Sequence, residues 1–458
     1  MKIRAFLAIL LCRLLRGLSR LLHRGGTAMP GSWALRLCPN LLEWLAKDLK
    51  ILAITGTNGK TTSARMIEEA FAKQGLRYLA NRSGANLASG IVTELVMNAD
   101  LRGRSRKEYA VIECDEAAAR TVFGQIKPRV IVVTNLFRDQ LDRYGEVTHT
   151  LENIRAAIQG APEAVLCLNA DCSLTASLAL DLPNPVRWFG LEKGAVPSRP
   201  LPEISDATHC IRCKTAYEYD YVSYGHLGGF CCPACGYRRH KADVAVTAVP
   251  EQGLDGSSVV LELDGQKVLA RVNLPAVYNI YNAVGAVAGV TAMGLPLQTA
   301  VEALASFSCG FGRMEQFPLG KAGAKMMLVK NPAGCNQVID FLQQVQEDFL
   351  LVVCLNDRAA DGTDISWIWD ADFEGLKSLE RRMKQVIVSG DRALDMRVRI
   401  KYAGISDEKI RVERDYHRLV DWAAQQELPV FLMPTYTAML ELRQAVVHKV
   451  GGAEFWEK

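Results

Sequence analysis

The chain has 458 residues, 49% of them hydrophobic, and a formal net charge of +4 at pH 7. This length allows two or three domains, each with its own core, and the near-neutral charge gives no electrostatic basis for nucleic-acid binding. The 13 cysteines are too few for a disulfide scaffold of this size, so we expect a reduced, cytoplasmic protein.

The first predicted element, within residues 1–48, is a basic amphipathic segment. Met1–Arg24 combines leucine and isoleucine with five arginines, and its apolar run Ala5–Cys12 is too short to span a bilayer. Two interpretations stay open. Either the segment lies on an anionic membrane surface, at the inner face of the plasma membrane, or it packs its apolar side on the domain behind it.

The second predicted element is a phosphate-binding loop within Ile51–Thr62. A short apolar strand leads through two glycines into a helix, which directs backbone N–H groups and the helix dipole at phosphate. The first glycine of the general Walker pattern would fall at Ile54, so this is a shorter variant. We predict that ATP binds here, with Lys60 on the outer phosphates and the Thr61 hydroxyl on Mg²⁺. The loop residues are Gly56, Thr57, Asn58, Gly59, Lys60 and Thr61.

Alternating strand and helix patterns then predict a doubly wound α/β sheet in a central domain, residues 49–308. Tyr109–Cys114 and Arg129–Asn135 are compact and apolar, as buried parallel strands are. Glu113 ends the first of these strands. Its carboxylate would face the phosphate loop there and complete the Mg²⁺ shell opposite Thr61.

The later part of this domain contains a change of pattern. Residues 183–206 are rich in proline and glycine, so we expect an excursion from the sheet there. Residues 243–273 are predicted as hairpin strands, with turns at Asp255-Gly256 and Asp264-Gly265. A helix of small residues is predicted at Asn279–Met293.

Two CxxC pairs predict a zinc ribbon inserted at about residues 205–240. Eighteen residues separate the pairs, a spacing typical of two knuckles that close a tetrahedral site of four thiolates. Four thiolates leave no open position, so the metal would be structural; a redox pair is the alternative. Cys231 has the wrong interval for a knuckle. The predicted ligands are Cys210, Cys213, Cys232 and Cys235.

A second, Rossmann-like α/β domain is predicted over residues 309–458. Apolar runs predict strands at residues 325–330, 350–355, 385–389 and 430–433. Helical periodicity predicts helices at residues 335–347, 392–402, 415–426 and 437–448.

Six motifs of the sequence recur together in one known superfamily: Gly56–Thr61, Glu113, Thr134-Asn135, Asp139-Gln-Leu-Asp142, Asn279-Ile-Tyr-Asn282 and Gly312-Arg313. They resemble those of the Mur ligase superfamily, ATP-dependent enzymes that join an amine to a carboxylate through an acyl phosphate. The resemblance implies that Lys60 binds phosphates, that Thr61 and Glu113 bind Mg²⁺, and that Asn282 and Arg313 contact the nucleotide.

The departures from the superfamily pattern narrow the resemblance. Only residues 1–50 precede the loop strand, too few for the uridine-binding domain of the peptide-adding members. Gln140 replaces histidine in D-H-L-D, Lys330-Asn-Pro replaces H-N-P, and the zinc ribbon is an addition. With residues 361–370 and 434–443, these features resemble the members that amidate lipid II. The implied reaction converts the α-carboxylate of the stem-peptide D-glutamate to D-isoglutamine.

The same resemblance implies a heterodimer with a glutaminase subunit that supplies ammonia, since this chain lacks a G-x-C-x-G nucleophile turn. It implies that Asp364, two residues before Ser366-Trp367, completes the partner's Cys–His pair, with Asp361 as the alternative. Two other functions stay open: a folate-type polyglutamate ligase, and a non-catalytic nucleotide-binding scaffold.

Overall fold

The computed structural model describes residues 2–21, 28–81, 85–139, 147–202, 205–307 and 313–451, with only the backbone of Lys2, Arg20, Leu21 and Arg313. The chain divides into two compact units. Unit 1 comprises residues 1–137, 147–273 and 277–307, and unit 2 comprises residues 138–146, 274–276 and 308–458.

Unit 1 is built on a mixed sheet whose described strands run in the order β11-β10-β9-β6-β5-β4-β1-β3-β2. Strands β9, β6, β5, β4, β1, β3 and β2 are parallel, and β10 and β11 extend the β9 edge as an antiparallel meander. The strands are β1 (Lys50–Thr55), β2 (Tyr78–Ala80), β3 (Tyr109–Glu113), β4 (Val130–Val133), β5 (Val165–Asn169), β6 (Val186–Leu191), β9 (Val244–Gly253), β10 (Gly256–Leu263) and β11 (Gln266–Val272). A separate hairpin consists of β7 (Glu218–Tyr224) and β8 (Leu227–Cys231).

The helices of unit 1 cover the sheet, whose central strands β1 and β4 are buried from Ile51 to Thr55 and from Val130 to Val133, as strands covered on both faces are. Helix α4 packs on α9 and α10, and α1 packs on α2 and α5. The helices are α1 (Lys2–Leu21), α2 (Ala28–Leu37), α3 (Leu41–Ala46), α4 (Lys60–Lys73), α5 (Ala88–Met97), α6 (Glu116–Ile126), α7 (Val147–Gln159), α8 (Ser173–Ala176), α9 (Val277–Ala292) and α10 (Leu297–Ser306). Among the described helices, none has the length and apolar character needed to cross a membrane.

The predicted doubly wound sheet and the edge hairpins are confirmed, but the predicted excursion at residues 183–206 is wrong in part. Val186–Leu191 forms β6, which pairs in parallel with β5 and β9 inside the sheet. The prolines that suggested a loop, Pro183 and Pro185, lie just before this strand, where a missing N–H costs little. The average composition of residues 183–206 therefore predicted a loop where six residues form a strand.

Unit 2 is a second α/β sheet with the described order β12-β13-β17-β14-β15-β16, parallel except for β12. Its strands are β12 (Arg313–Phe317), β13 (Ala324–Met327), β14 (Phe349–Cys354), β15 (Met383–Ser389), β16 (Ile410–Val412) and β17 (Val430–Pro434). Its helices are α11 (Pro332–Gln344), α12 (Trp367–Asp370), α13 (Ala393–Tyr402), α14 (Tyr416–Ala424) and α15 (Tyr436–Val450). Buried apolar residues of β13, β14 and β17 pack against α14 and α15, which confirms the predicted Rossmann-like architecture.

Candidate nucleotide site and metal centre

The phosphate-loop residues lie at the centre of unit 1, where the carboxyl ends of β3, β1 and β4 meet at one edge of the sheet. Ile54 of β1 is opposite Glu113 of β3, and Thr55 is opposite Val133 of β4. Doubly wound sheets bind ligands at such carboxyl ends. The loop between β1 and α4 therefore adjoins the carboxylates that follow β3.

The segment after β4 holds the loop backbone in shape. The Asn135 side chain accepts a hydrogen bond from Asn58 N at 3.0 Å and donates one to Asn58 O at 3.1 Å. The Thr134 hydroxyl donates to the same carbonyl at 2.8 Å, and Thr57 N donates to Asn135 O at 2.9 Å. The Thr134-Asn135 motif, which the sequence identified only through family resemblance, thus has a physical role in bracing the loop.

Gly59 ends the loop in a left-handed conformation and lies against Asn282. Its φ is +87°, and a Cβ added there would lie 1.9 Å from Asn282 Oδ1. Asn282 Nδ2 donates to Asn279 Oδ1 at 3.1 Å, and Ser63 Oγ donates to Asn282 O at 3.1 Å. Both asparagines of the N-x-x-N motif on α9 are therefore buried next to the start of α4.

We expect Gly59→Ala to weaken ATP binding by at least about tenfold, because the methyl group both strains a left-handed residue and displaces Asn282. Titration with a fluorescent ATP analogue would measure this effect. Gly75→Ala is the matched control, since Gly75 follows the other end of α4 with φ +69° and no atom within 4 Å of its added Cβ. Equal losses in the two variants would show that backbone strain alone, and not Asn282, explains the result.

Lys60 is a buried cation surrounded by acceptors. Its Nζ donates to Gly56 O at 2.6 Å, to Thr57 O at 3.3 Å and to Glu116 Oε1 at 2.9 Å. Burial alone would lower the pKa of Lys60, but Glu116, Asp115 and Glu113 together raise it above its ordinary value. Lys60 is therefore charged throughout the physiological pH range. Glu116 had no predicted role, although an acid at the first position of α6 was a visible signal.

Glu113 is held at the end of β3 by a side chain that binds its backbone. Asn81 Oδ1 accepts from Glu113 N at 2.9 Å, and Asn81 Nδ2 donates to Glu113 O at 2.7 Å. Asp115 caps α6 by accepting from Ala117 N at 3.0 Å. The carboxylates of Glu113, Asp115 and Glu116 are all buried at this edge.

The residues at this site fit a magnesium–nucleotide complex. Three buried carboxylates adjoin the single charge of Lys60, and carboxylate and hydroxyl oxygens are the ligands that Mg²⁺ prefers. Thr61, in the first turn of α4, is partly exposed and offers such a hydroxyl. The Arg313 side chain, Gly312, Gln140 and Asp142 lie outside the described residues, so their predicted roles stay predictions.

Lys330, which had no predicted role, forms an ion pair within unit 2. Its Nζ is 2.5 Å from Asp139 Oδ2, and Asn331 Nδ2 donates to Asp139 Oδ1 at 3.3 Å. Asn331 also caps α11 by accepting from Gly334 N at 2.8 Å. Two motifs that depart from the superfamily pattern, D-Q-L-D and K-N-P, are thus in direct contact.

The four predicted zinc ligands come together. Their Sγ atoms all lie within 4.8 Å of one another, with Cys210 to Cys235 at 3.5 Å and Cys213 to Cys232 at 3.3 Å. This donor set fits Zn²⁺.

The two knuckles have the same backbone geometry. Lys214 N donates to Cys210 O, and Gly236 N donates to Cys232 O. Both Lys214 and Gly236 have a left-handed backbone conformation, with φ of 65° and 71°. Gly236 is suited to that conformation. Cys231 pairs instead with Arg238 in a β-bridge outside the cluster.

The ribbon packs on the rest of unit 1 through a buried polar network around Asp171. The Asp171 carboxylate accepts from Arg239 Nε at 2.6 Å, from Tyr281 OH at 2.6 Å and from Leu191 N at 2.8 Å. Burial raises the pKa of Asp171, an effect that Arg239 and Tyr281 oppose. Nearby, Tyr237 OH donates to Ser173 O at 2.8 Å.

We expect Cys232→Ser to lose stoichiometric zinc and to lower the unfolding temperature of unit 1. Complete structural zinc sites bind with about 10 kcal/mol or more, so removing one thiolate forfeits much of that stabilisation. Elemental analysis and thermal unfolding would measure both changes. Cys231→Ser is the control, because the neighbouring thiol lies outside the cluster. Retained zinc in Cys232→Ser would contradict the assignment.

Asp361 and Asp364, the two candidates for completing the partner's Cys–His pair, have different surroundings in unit 2. Asp361 is buried and accepts from Thr437 N at 2.7 Å and from Thr437 Oγ1 at 2.5 Å, at the start of α15. Asp364 is partly exposed, with one local bond from Ser366 N to its Oδ1 at 2.8 Å. Asp361 is thus engaged in the fold, whereas Asp364 is accessible.

An exposed apolar patch follows Asp364. The patch consists of Trp369 on α12 and of Leu394, Val398 and Tyr402, spaced four residues apart on α13. The Trp369 and Tyr402 rings are 5.6 Å apart between centroids. The Arg399 guanidinium lies 5.3 Å from the Trp369 ring and donates to Ile368 O and Ala371 O, so the patch is held by a buried anchor.

Comparisons with known proteins agree with this fold. Residues 54–225 match the family described as the Mur ligase middle domain. The solved structure of a pseudomurein peptide ligase type C from Methanothermus fervidus superposes with a TM-score of 0.66, covering 88% of this chain and 79% of that chain at 20% identity. The fold is therefore that of a Mur ligase.

The more specific match is to MurT proteins. Residues 328–439 match the family described as MurT ligase C-terminal. The lipid II isoglutaminyl synthase (glutamine-hydrolyzing) subunit MurT of Streptococcus pneumoniae is 33% identical over 427 residues, covering 93% of each chain. The corresponding subunit of Staphylococcus aureus is 30% identical over 452 residues, covering 98% of this chain and all of that one. The chain belongs to the MurT family of Mur ligases.

Proposed function

We propose that this chain is the ligase subunit of an enzyme that amidates the D-glutamate α-carboxylate of the lipid II stem peptide, producing D-isoglutamine. ATP activates the carboxylate as an acyl phosphate, and a separate glutaminase subunit supplies ammonia. The main support is the braced phosphate loop, with Lys60 and Glu113 beside it, in a chain that belongs to the MurT family.

The proposed chemistry explains why a ligase needs this loop. A carboxylate is a poor electrophile, and transfer of the γ-phosphoryl group from ATP to its oxygen gives it a leaving group. The ammonia lone pair then forms the C–N bond, the C–O bond to phosphate breaks with its electrons leaving on phosphate, and the nitrogen loses a proton. Lys60, charged and fixed by three acceptors, binds the outer phosphates and offsets their charge.

Metal ions have two separate roles in this proposal. Thr61 and Glu113 would hold Mg²⁺, which when bound offsets the negative charge of the transferring phosphoryl group. Cys210, Cys213, Cys232 and Cys235 would hold a structural Zn²⁺, with no position open for substrate.

The proposed ammonia source is another subunit, because neither Cys114 nor Cys172 has the setting of a glutaminase nucleophile. Cys114 is fully buried, and burial raises its pKa well above the ordinary value. Cys172 lies 3.4 Å from His226, but both side chains are buried, so glutamine cannot reach them. Solvent ammonia is mostly protonated at neutral pH, which favours a delivered supply.

The glutaminase docks on the apolar patch of Trp369, Leu394, Val398 and Tyr402 in this proposal. The patch lies in the same unit as Asp364, the accessible carboxylate that would orient the partner's imidazole. Exposed aromatic and aliphatic clusters on a rigid helix face are typical of protein–protein contacts.

We expect the double variant Leu394→Glu/Val398→Glu to weaken glutaminase binding by at least about a hundredfold, since two charges would be buried at the interface. Co-purification and biosensor titration with the glutaminase would measure it. Leu180→Glu/Leu269→Glu, which introduces the same charges at exposed leucines of unit 1, should bind the glutaminase normally. Unchanged binding of the first variant would remove the patch from the interface.

The function itself is tested by ATP turnover of the purified full chain with lipid II and an ammonium salt. Turnover that requires lipid II, with mass analysis finding the stem peptide amidated, supports the proposal. A requirement for folate and glutamate would identify a polyglutamate ligase instead. No turnover with either substrate would favour a nucleotide-binding scaffold.

A further inference from the structure

Helix α1 exposes a row of large apolar side chains on one face. Ile3, Leu7, Leu10, Leu14 and Leu18 follow one another at steps of four, three, four and four residues, so they form one stripe along the helix. Each is between 37% and 77% exposed. A helix that is stabilised only by its own domain would bury such residues.

The opposite face of α1 attaches the helix to unit 1. Ala5, Ala8, Ile9 and Cys12 are buried, and α1 packs on α2 and α5. Arg13 donates to the carbonyls of Val96 and Ala99, at the end of α5. The two interpretations of this segment are therefore compatible, since one face of α1 packs on the domain and the leucine-rich face remains outside.

The neighbouring helix α2 adds to the exposed apolar surface. Met29, Trp33 and Leu37, at steps of four residues, are all exposed. The Arg36 guanidinium lies 5.0 Å from the centre of the Trp33 ring. A tryptophan beside an arginine is typical of side chains at the boundary between lipid headgroups and acyl chains.

The charge of this region is as distinctive as its apolar face. Residues 1–42 contain seven Lys and Arg residues and no Asp or Glu. The remaining residues contain 47 Lys and Arg against 50 Asp and Glu, a net charge of −3, so the excess positive charge of the chain is confined to this segment. An apolar stripe within a purely cationic segment is complementary to an anionic lipid surface.

We propose that the exposed faces of α1 and α2 bind the surface of an anionic bilayer, with the leucine stripe among the upper acyl chains and the exposed Arg4 and Arg36 on lipid phosphates. Only the purpose of this binding rests on the proposed function: it would hold the ligase where a lipid-linked substrate is embedded. The binding itself depends on this surface and not on catalysis.

The test is co-sedimentation of the full chain with vesicles of phosphatidylcholine mixed with phosphatidylglycerol, and with phosphatidylcholine alone. We expect preferential binding to the anionic vesicles. Leu7→Glu/Leu14→Glu should lower that partition at least about tenfold. The control Leu180→Glu/Leu269→Glu has the same charge change at leucines of similar exposure, 42% and 63% against 46% and 64%, and should bind like the unmodified chain.

Equal sedimentation with and without anionic lipid, or equal binding of the two double variants, would overturn the inference. So would light scattering that finds a dimer which Leu7→Glu/Leu14→Glu converts to a monomer, without vesicle binding in either form. An assay of ammonium-dependent amidation with detergent-solubilised lipid II tests the proposed function without membrane binding, so it distinguishes the two proposals. Leu7→Glu/Leu14→Glu should retain that activity, whereas failure of the unmodified chain in this assay would count against the proposed function alone.

Discussion

Replacing Asp364 with asparagine should abolish glutamine-dependent amidation while leaving ammonium-dependent amidation intact. Asparagine keeps the size of the side chain and the oxygen that accepts from Ser366 N, but it loses the negative charge that would orient the partner's imidazole. The corresponding change in a serine protease triad lowers turnover by ~10⁴-fold, and we expect a loss of that order. Parallel assays of the assembled complex with glutamine and with ammonium chloride would measure it.

Asp361→Asn is the matched control for this prediction. Because Asp361 accepts two hydrogen bonds from Thr437 at the start of α15, its replacement should lower thermal stability and affect both nitrogen sources equally. The complex should still co-purify in both variants. A selective loss of the glutamine reaction in Asp361→Asn, with Asp364→Asn fully active, would reverse the two assignments.

Replacing Lys60 with methionine should reduce amidation with either nitrogen source by at least about 10³-fold, since the residue acts before ammonia is needed. Methionine keeps the unbranched stem but removes the charge that Gly56 O, Thr57 O and Glu116 now share. Because the pKa of Lys60 is raised above 10.5, the unmodified enzyme should show no loss of activity from deprotonation of Lys60 as the pH rises towards that value.

Lys73→Met serves as the control for Lys60→Met, because Lys73 lies exposed in the last turn of the same helix. Lys60→Met should lower both nucleotide affinity, measured by titration, and steady-state turnover. Lys73→Met should change neither. Ammonium-dependent turnover of Lys60→Met within tenfold of the unmodified chain would exclude Lys60 from phosphate binding.

Sequence patterns predicted what depends on residues close together in the chain. The loop, the acid at the end of β3 and the two CxxC knuckles are local features with fixed spacing, so they could be found without a structure. The family resemblance then supplied Asn282, whose contact with Gly59 is not visible in the spacing of N-x-x-N.

Contacts between distant segments were not predictable in this way. Glu116 reaches Lys60 across 56 residues, and Lys330 reaches Asp139 across 191. Asn81 holds Glu113 through hydrogen bonds to its backbone N–H and C=O, which any strand-end residue could make, so no sequence pattern identifies Asn81. These partners are determined by which strand ends become neighbours in the sheet, and the sequence alone does not specify that order.

The Asp171 network has a consequence for anyone who wishes to shorten this protein. Tyr281, which donates to Asp171, immediately precedes Asn282, the residue that lies against Gly59 of the phosphate loop. Excising residues 205–240 would remove Arg239 and leave the Asp171 carboxylate buried beside α9, the helix that carries Tyr281 and Asn282, without its cation. We therefore expect deletion of residues 205–240 to impair nucleotide binding. The ribbon, although inserted in the sequence, is an integral part of unit 1.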